Sequence, residues 1–257
     1  MAIVFIGCGV ACAVSGSISE APVAKVEAPE SVPAWGSQKS VLTSPYKTPA
    51  MLHRVTDSVA LDTCFRAEEI DDSTFARMKD KSWKRNCTLK RSDLRYLRLL
   101  HNDANGQTRQ GEMVVHKAIA DKVVLIMREL YEAGYRIERL ELVDNYGADD
   151  TRSIDFNNSS SFNFRTVGGT NRLSRHARGL SIDLNPLYNP YITYPGGKPK
   201  THRPKWAFDR DTRSDVPYKI DHDDLAFKLF IREGFTWGGD WNGEKDYQHF
   251  DYKIPSE

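Results

Sequence analysis

Ser174-Arg175-His176-Ala177-Arg178-Gly179-Leu180-Ser181-Ile182-Asp183 is the stretch that decides how this chain is read. It sets a histidine and an aspartate seven residues apart, with Gly179 between them to permit a tight turn. From Leu180 to Leu184 apolar and polar residues alternate, the pattern of a half-buried strand. Leu180, Ile182 and Leu184 then face a core, and Ser181 and Asp183 face the other way, towards an expected cleft. A histidine on the approach to a strand and an aspartate on its open face can converge on one metal ion. A catalytic zinc usually takes three protein ligands and keeps one position for water. The third candidate ligand lies near the C-terminus, in Asp246-Tyr247-Gln248-His249-Phe250. There Phe250 and Tyr252 alternate with His249 and Asp251, which predicts a final strand presenting His249 to the same cleft.

The set Ser-x-His-x-x-Gly-x-x-x-Asp followed by a late Asp-x-x-His resembles the zinc peptidases of the D-alanyl-D-alanine carboxypeptidase family, of VanY and VanX type. That family also contains phage endolysins that cut L-alanyl-D-glutamate bonds. The resemblance runs from about Cys64 to Asp251. It implies one zinc ion per chain, held by His176, Asp183 and His249, with Asp246 as catalytic base. Many relatives carry alanine where this chain has Ser181, so the side chain stays small. Relatives also place an arginine beside the scissile carbonyl, on the strand before the zinc motif, and Arg165 fits that place.

The residue types suit the implied chemistry. Neutral imidazole and carboxylate are zinc ligands, and zinc brings the pKa of a bound water towards 7. A base must then take the water's proton and deliver it to the leaving amine. Asp246, three residues before His249, can stand beside the metal without binding it. The Arg165 guanidinium can share the charge of an oxyanion. Ser174, two residues before His176, can hydrogen-bond substrate or orient the ligand. Trp237, in the glycine-bracketed stretch Phe235–Trp241, and Tyr146, in the loop Asp144–Asp150, are the other expected substrate contacts.

The rest of the chain sets the frame. Its 257 residues and 40% hydrophobic content allow a sizeable core. A net charge of +1 argues against a general nucleic-acid binder. Ala2 to Val14 is a continuous small and apolar run, too short to span a bilayer as a helix but matching the core of a secretory signal. Phe5-Ile6-Gly7-Cys8 resembles a lipoprotein cleavage box, which makes Cys8 an expected lipid anchor. Five prolines fall between Pro22 and Pro49 and none then until Pro186, a shift in composition that marks a linker. The expected organisation is therefore a signal or lipoprotein-type segment over 1–17, a proline-rich linker over 18–57 and a zinc peptidase domain over 58–257. The protein is expected to be exported to the periplasm or cell envelope and to act as a monomer. In that setting Cys64 and Cys87 are expected to form a disulfide.

Within the domain, Ser73 is a candidate N-cap for a short helix over 74–79. Leu94–Leu100 and Glu112–Val115 read as paired strands around the turn Asn102–Gly106. Apolar residues from Val115 to Leu130 at helical spacing predict a helix over 113–133, stopped by Gly134. Ile137–Val143 and Phe162–Thr166 read as strands, and Asp223–Glu233 as a helix. The loop over 185–220, rich in proline and basic residues, is expected to wall a substrate groove. The fold class that follows is α+β, a small antiparallel sheet backed by helices with a zinc cleft on the open face of the sheet. The expected substrate is the peptidoglycan stem peptide, with D-alanyl-D-alanine carboxypeptidase activity first. An L-Ala-D-Glu endopeptidase and a non-catalytic domain that binds wall peptides are the alternatives.

Overall fold

The computed structural model describes residues 51–167, 169–203, 210 and 218–255, which all lie in a compact unit beginning at Ser44. The expected signal segment, Cys8 and most of the linker lie outside the described residues, as does much of the loop over 185–220. In chain order the elements begin with β1 (Met51–Leu52), α1 (Ser58–Cys64), β2 (Arg66–Glu68), α2 (Asp72–Met78), β3 (Leu94–Asn102) and β4 (Thr108–His116). Next come α3 (Ala120–Glu132), β5 (Arg139–Leu140), α4 (Asp150–Asp155), β6 (Asn158–Ser159) and β7 (Ser181–Asp183). Last are β8 (Tyr191–Thr193), β9 (Lys200–Arg203), α5 (Leu225–Arg232), β10 (Phe235–Trp237), β11 (Glu244–Asp246) and β12 (His249–Tyr252).

The class is α+β, with the strands divided among several small sheets. An antiparallel sheet has the order β1-β4-β3-β2, and two others have the orders β10-β12-β7 and β11-β8-β9. β5 and β6 form a short parallel pair. The long hairpin β3–β4 pairs nine residues with nine, from Leu94↔His116 to Asn102↔Thr108. Its turn is built as the sequence suggests: the Asp103 carboxylate accepts from the backbone N–H groups of Asn105 and Gln107, and Gly106 takes φ +76°. Val114 and Val115 belong to this hairpin, so the following helix starts at Ala120 and not at residue 113. Met113, Val114 and Val115 are apolar at a strand end, and their run merges with the helical pattern behind it.

Helix caps follow local chemistry. Asp71, two residues before the expected Ser73, accepts from Thr74 N at 2.6 Å and starts α2. Asp224 accepts from the N–H groups of Ala226 and Phe227 and starts α5. Helix α3 lays Val123, Ile126, Met127 and Leu130 against β3 and β2, and Ala226, Leu229 and Phe230 of α5 join the same core. Phe235, Phe250 and Ile182 close it from the β10-β12-β7 sheet, with Phe230 stacked on Phe250 at 4.2 Å. That packing fixes the apolar face of the sheet that carries the candidate ligands.

Two expectations are corrected here. Cys64 and Cys87 are not joined in a disulfide. Cys64 packs against the main core and Cys87 against a second cluster around Met78, Leu94 and Phe164. Residues 162–166 make no regular ladder; Phe162 and Phe164 are buried in the second cluster, and only Thr166 forms a bridge, to Leu173. No helix among the described residues is long and apolar enough to cross a membrane.

Candidate metal centre

Gly179 turns the chain into β7 with φ +64°, and its N–H bonds to the carbonyl of His176. The turn is tight because a Cβ there would stand 2.9 Å from the backbone nitrogen of His116. His176 therefore lies in a short 3-10 turn, Arg175–Arg178, just before the strand that carries Asp183. β12 runs antiparallel to β7 with His249 directly opposite Asp183 and Asp251 opposite Ser181. The alternation read from the sequence holds: Ile182 and Phe250 point into the core, and Ser181, Asp183, His249 and Asp251 share the other face.

That face is not open. Ser181, Asp183, His176, His249 and Asp251 are all buried, partly because the segment 160–163 runs alongside, bridging Ser160 to Asp183. Three atoms converge there. Nε2 of His176 lies 3.2 Å from Nδ1 of His249 and 3.3 Å from Oδ1 of Asp183, and His249 Nδ1 lies 2.9 Å from that same oxygen. Zinc bonds to nitrogen and carboxylate oxygen of about 2.0–2.1 Å at a tetrahedral angle imply donor separations of roughly 3.3 Å. The triangle is close to that size. Its chemistry fits as well. Nδ1 of His176 donates to the Ser161 carbonyl at 2.8 Å, which leaves Nε2 with the lone pair a metal needs. The residues present therefore fit a zinc ion.

The electrostatics ask for a cation at this point. Burial opposes charge on His249, but the carboxylates of Asp183, Asp251 and Asp246 around it outweigh that and raise its pKa to about 10. Burial likewise opposes ionisation of Asp183, and the two histidines overcome it and hold its carboxyl far below the usual range. Acidic groups thus crowd the histidines, and a bound metal meets the same demand for positive charge.

Asp246 ends β11, which pairs with β8 so that Asp246 stands opposite Tyr191. Burial pushes its carboxyl up to about 6, although His249 and His176 nearby pull the other way. Gln248 Nε2 donates to its Oδ1 at 3.1 Å. Gly238 leaves room for it, since a Cβ there would stand 2.5 Å from the Asp246 backbone oxygen.

The other expected site residues divide. Ser174 is buried beside the cluster, and its N–H bonds to the carbonyl of Arg165. The Arg165 guanidinium pairs with Asp150 at 2.8 Å, away from the three candidate ligands. Tyr146, at 1% exposure, has its hydroxyl 3.2 Å from Glu141, and Trp237, at 3%, donates its indole N–H to the Tyr247 carbonyl. Both are interior residues with no surface for a substrate, which corrects their assignment as substrate contacts. Asp144, in the same loop as Tyr146, is buried and accepts from both the backbone N–H and the hydroxyl of Ser82.

Two residues were missed in their roles. Trp241, half-buried, sets its ring 5.3 Å from that of His249, and Arg175 lies over the same indole. The glycine-rich stretch carries two tryptophans, and only the fold decides which is core. Asp251 faces His249 from the ligand side of β12, a placement the strand alternation already contained.

A protein of α+β class with a buried His-Asp-His centre at a strand pair is thereby defined. Residues 168–252 match the family model described as D-alanyl-D-alanine carboxypeptidase, and that span holds His176, Asp183, Asp246 and His249. The resemblance read from the motif to the zinc D-alanyl-D-alanine carboxypeptidase family is borne out over this span. No curated protein and no solved structure matches the chain.

Proposed function

We propose that this protein hydrolyses a peptide bond in the peptidoglycan stem with one zinc ion per chain, acting as a D-alanyl-D-alanine carboxypeptidase. The observation that carries the reading is the buried triangle of His176, Asp183 and His249 inside the span that matches that family. When bound, zinc supplies Lewis-acid chemistry, polarising a carbonyl and acidifying a water. His176, Asp183 and His249 would hold it. Asp246 accepts the proton of the attacking water and passes it to the departing amine nitrogen. A carboxyl raised to about 6 by burial is suited to both halves of that transfer near neutral pH. Arg165, oriented by Asp150, offers its guanidinium to the charge that develops on the scissile carbonyl oxygen. The Ser174 hydroxyl makes no hydrogen bond with another described residue and is available to the substrate. Trp241 shields one side of His249 from water.

The reading extends to place. Export to the cell envelope is supported by the apolar run from Ala2 to Val14, and a lipid anchor at Cys8 by the box that precedes it.

The test is a digest of purified muropeptides, read by mass spectrometry with and without a chelator. Chelator-sensitive loss of a single terminal alanine is expected. Paired internal fragments would make the protein an endopeptidase, and no products at all would favour a domain that only binds wall peptides.

A further inference from the structure

Asp251 sits two residues after a candidate ligand and is 5% exposed, yet it would not touch the metal. Its two oxygens are approached by three donors. Oδ1 accepts from the Ser181 hydroxyl at 2.5 Å, and Oδ2 accepts from the Arg175 guanidinium. Nε2 of His249 lies 3.2 Å from Oδ1, within ion-pair reach though short of hydrogen-bond alignment. The carboxylate backbone is held too, because Asp251 pairs with Ser181 across the ladder and with Thr236 on its other side.

We infer that Ser181, Asp251 and Arg175 form a positioning unit that fixes His249 as the Nε2–H tautomer and so presents its Nδ1 to the metal. The inference rests on the reading of His176, Asp183 and His249 as a metal centre. Its logic is donor arithmetic. A carboxylate has acceptor capacity for all three groups, and none of the three can accept from it. Carboxylates face both imidazole nitrogens, and a cation held by Asp183 excludes a proton from the nitrogen on its side, which leaves the proton to the nitrogen facing Asp251. The opposite nitrogen, 2.9 Å from Asp183, then keeps its lone pair for a cation. His176 achieves the same result differently, by donating Nδ1–H to the Ser161 carbonyl. The two ligands are thus set by two independent acceptors, one neutral and one anionic, and they coordinate through different nitrogens.

Ser181 gives the unit its particular character. At 0% exposure its hydroxyl has one acidic neighbour to serve, and it pins one Asp251 oxygen from within the sheet. Arg175, with a side chain 68% exposed, pins the other from outside and lies over Trp241. An alanine at 181 would leave Asp251 held only by the exposed partner.

Asp251→Asn tests the inference because it keeps the shape and removes one acceptor. With only one oxygen, the amide must turn its NH2 either to Arg175 or to the side shared by Ser181 and His249. Outer partners of metal-binding histidines are typically worth 10–100-fold in metal affinity. Zinc dissociation constants would be measured by competition with a chromophoric chelator for wild type, Asp251→Asn and Ser181→Ala. Long-range 1H–15N correlation spectra of the zinc-loaded proteins would report the His249 ring. The expected result is zinc binding weakened at least tenfold in Asp251→Asn, less in Ser181→Ala, and an Nε2–H signal of His249 that is protected in wild type and lost or shifted in Asp251→Asn. Wild-type zinc affinity and an unchanged His249 ring signature in both variants would overturn the positioning unit. If wild type itself binds no zinc, it is the metal-centre reading that fails. Should Asp251→Asn not fold, Ser181→Ala decides: an unaltered His249 signature and affinity in it overturns the proposal.

Discussion

Asp183 and His249 face each other directly across the β7–β12 ladder, with Oδ1 of one 2.9 Å from Nδ1 of the other. The sheet register itself therefore builds two of the three candidate ligand positions. A slip of one residue would turn both side chains into the core. The third ligand, His176, is delivered by the turn at Gly179. Replacing Asp183 with alanine should leave the core side of the sheet, Ile182 and Phe250, in place. The variant should fold and lose zinc, by elemental analysis after dialysis against trace zinc. Full zinc occupancy in a folded Asp183→Ala protein would remove Asp183 from the centre.

Gly238 supports Asp246 from behind. A methyl there would stand 2.5 Å from the Asp246 backbone oxygen and 3.0 Å from its Cβ, so β11 must move. Misplacing a catalytic group by about 1 Å can cost on the order of a hundredfold in rate. Gly238→Ala should therefore lower kcat at least about tenfold while zinc content stays whole. An unchanged kcat would show that Asp246 tolerates displacement and weaken its assignment as base.

His101 offers a pH test away from the centre. It is buried, its Nδ1 donates to the Ile137 carbonyl at 2.7 Å, and burial lowers its pKa to about 4. In the unfolded chain a histidine titrates near 6.5. The unfolded state thus binds the extra proton first as pH falls, so this contribution is complete above about 6.5 and is lost progressively towards about 4. At pH 5 the loss amounts to about 2 kcal/mol. Urea unfolding of metal-free wild type and His101→Asn at pH 7.5 and 5 checks it. The variant should show the smaller fall, and equal falls would mean that His101 is not buried as a neutral ring.

The two cysteines make a further test. Alkylation under denaturing, non-reducing conditions followed by peptide mapping should find Cys64 and Cys87 each modified. A cross-linked peptide containing both would contradict the packing of each cysteine into its own apolar cluster.

The convergence of His176, Asp183 and His249 was legible from the motif and from strand alternation, which has a strict period of two. Reading Ile182 and Phe250 as core obliged Asp183, His249, Ser181 and Asp251 to share the other face. The same rule contained Asp251, but only the register Asp251↔Ser181 shows what it meets. The paired strands around Asp103–Gly106 were also readable, from turn chemistry. What could not be read depends on packing. Val114 and Val115 suit a strand end as well as a helix start, and the ladder decides. Trp237 and Trp241 lie in one glycine-rich stretch; β10 turns the first inward, and the 3-10 turn after it brings the second to His249. The cysteine pairing was inferred from an expected compartment and has no basis in the geometry of α1 and the segment after α2.

The central claim is a three-ligand metal centre served by a separate base, and Asp246→Asn tests it most directly. Zinc content, affinity for a muropeptide and turnover would be measured on one preparation of that variant. The account predicts full zinc, nearly normal affinity and turnover at least about a hundredfold slower, the low end of general acid–base effects. Lost zinc would make Asp246 a ligand, and full zinc with an unchanged rate would contradict its role as base, leaving Glu244, hydrogen-bonded by Tyr191, as the next residue to test.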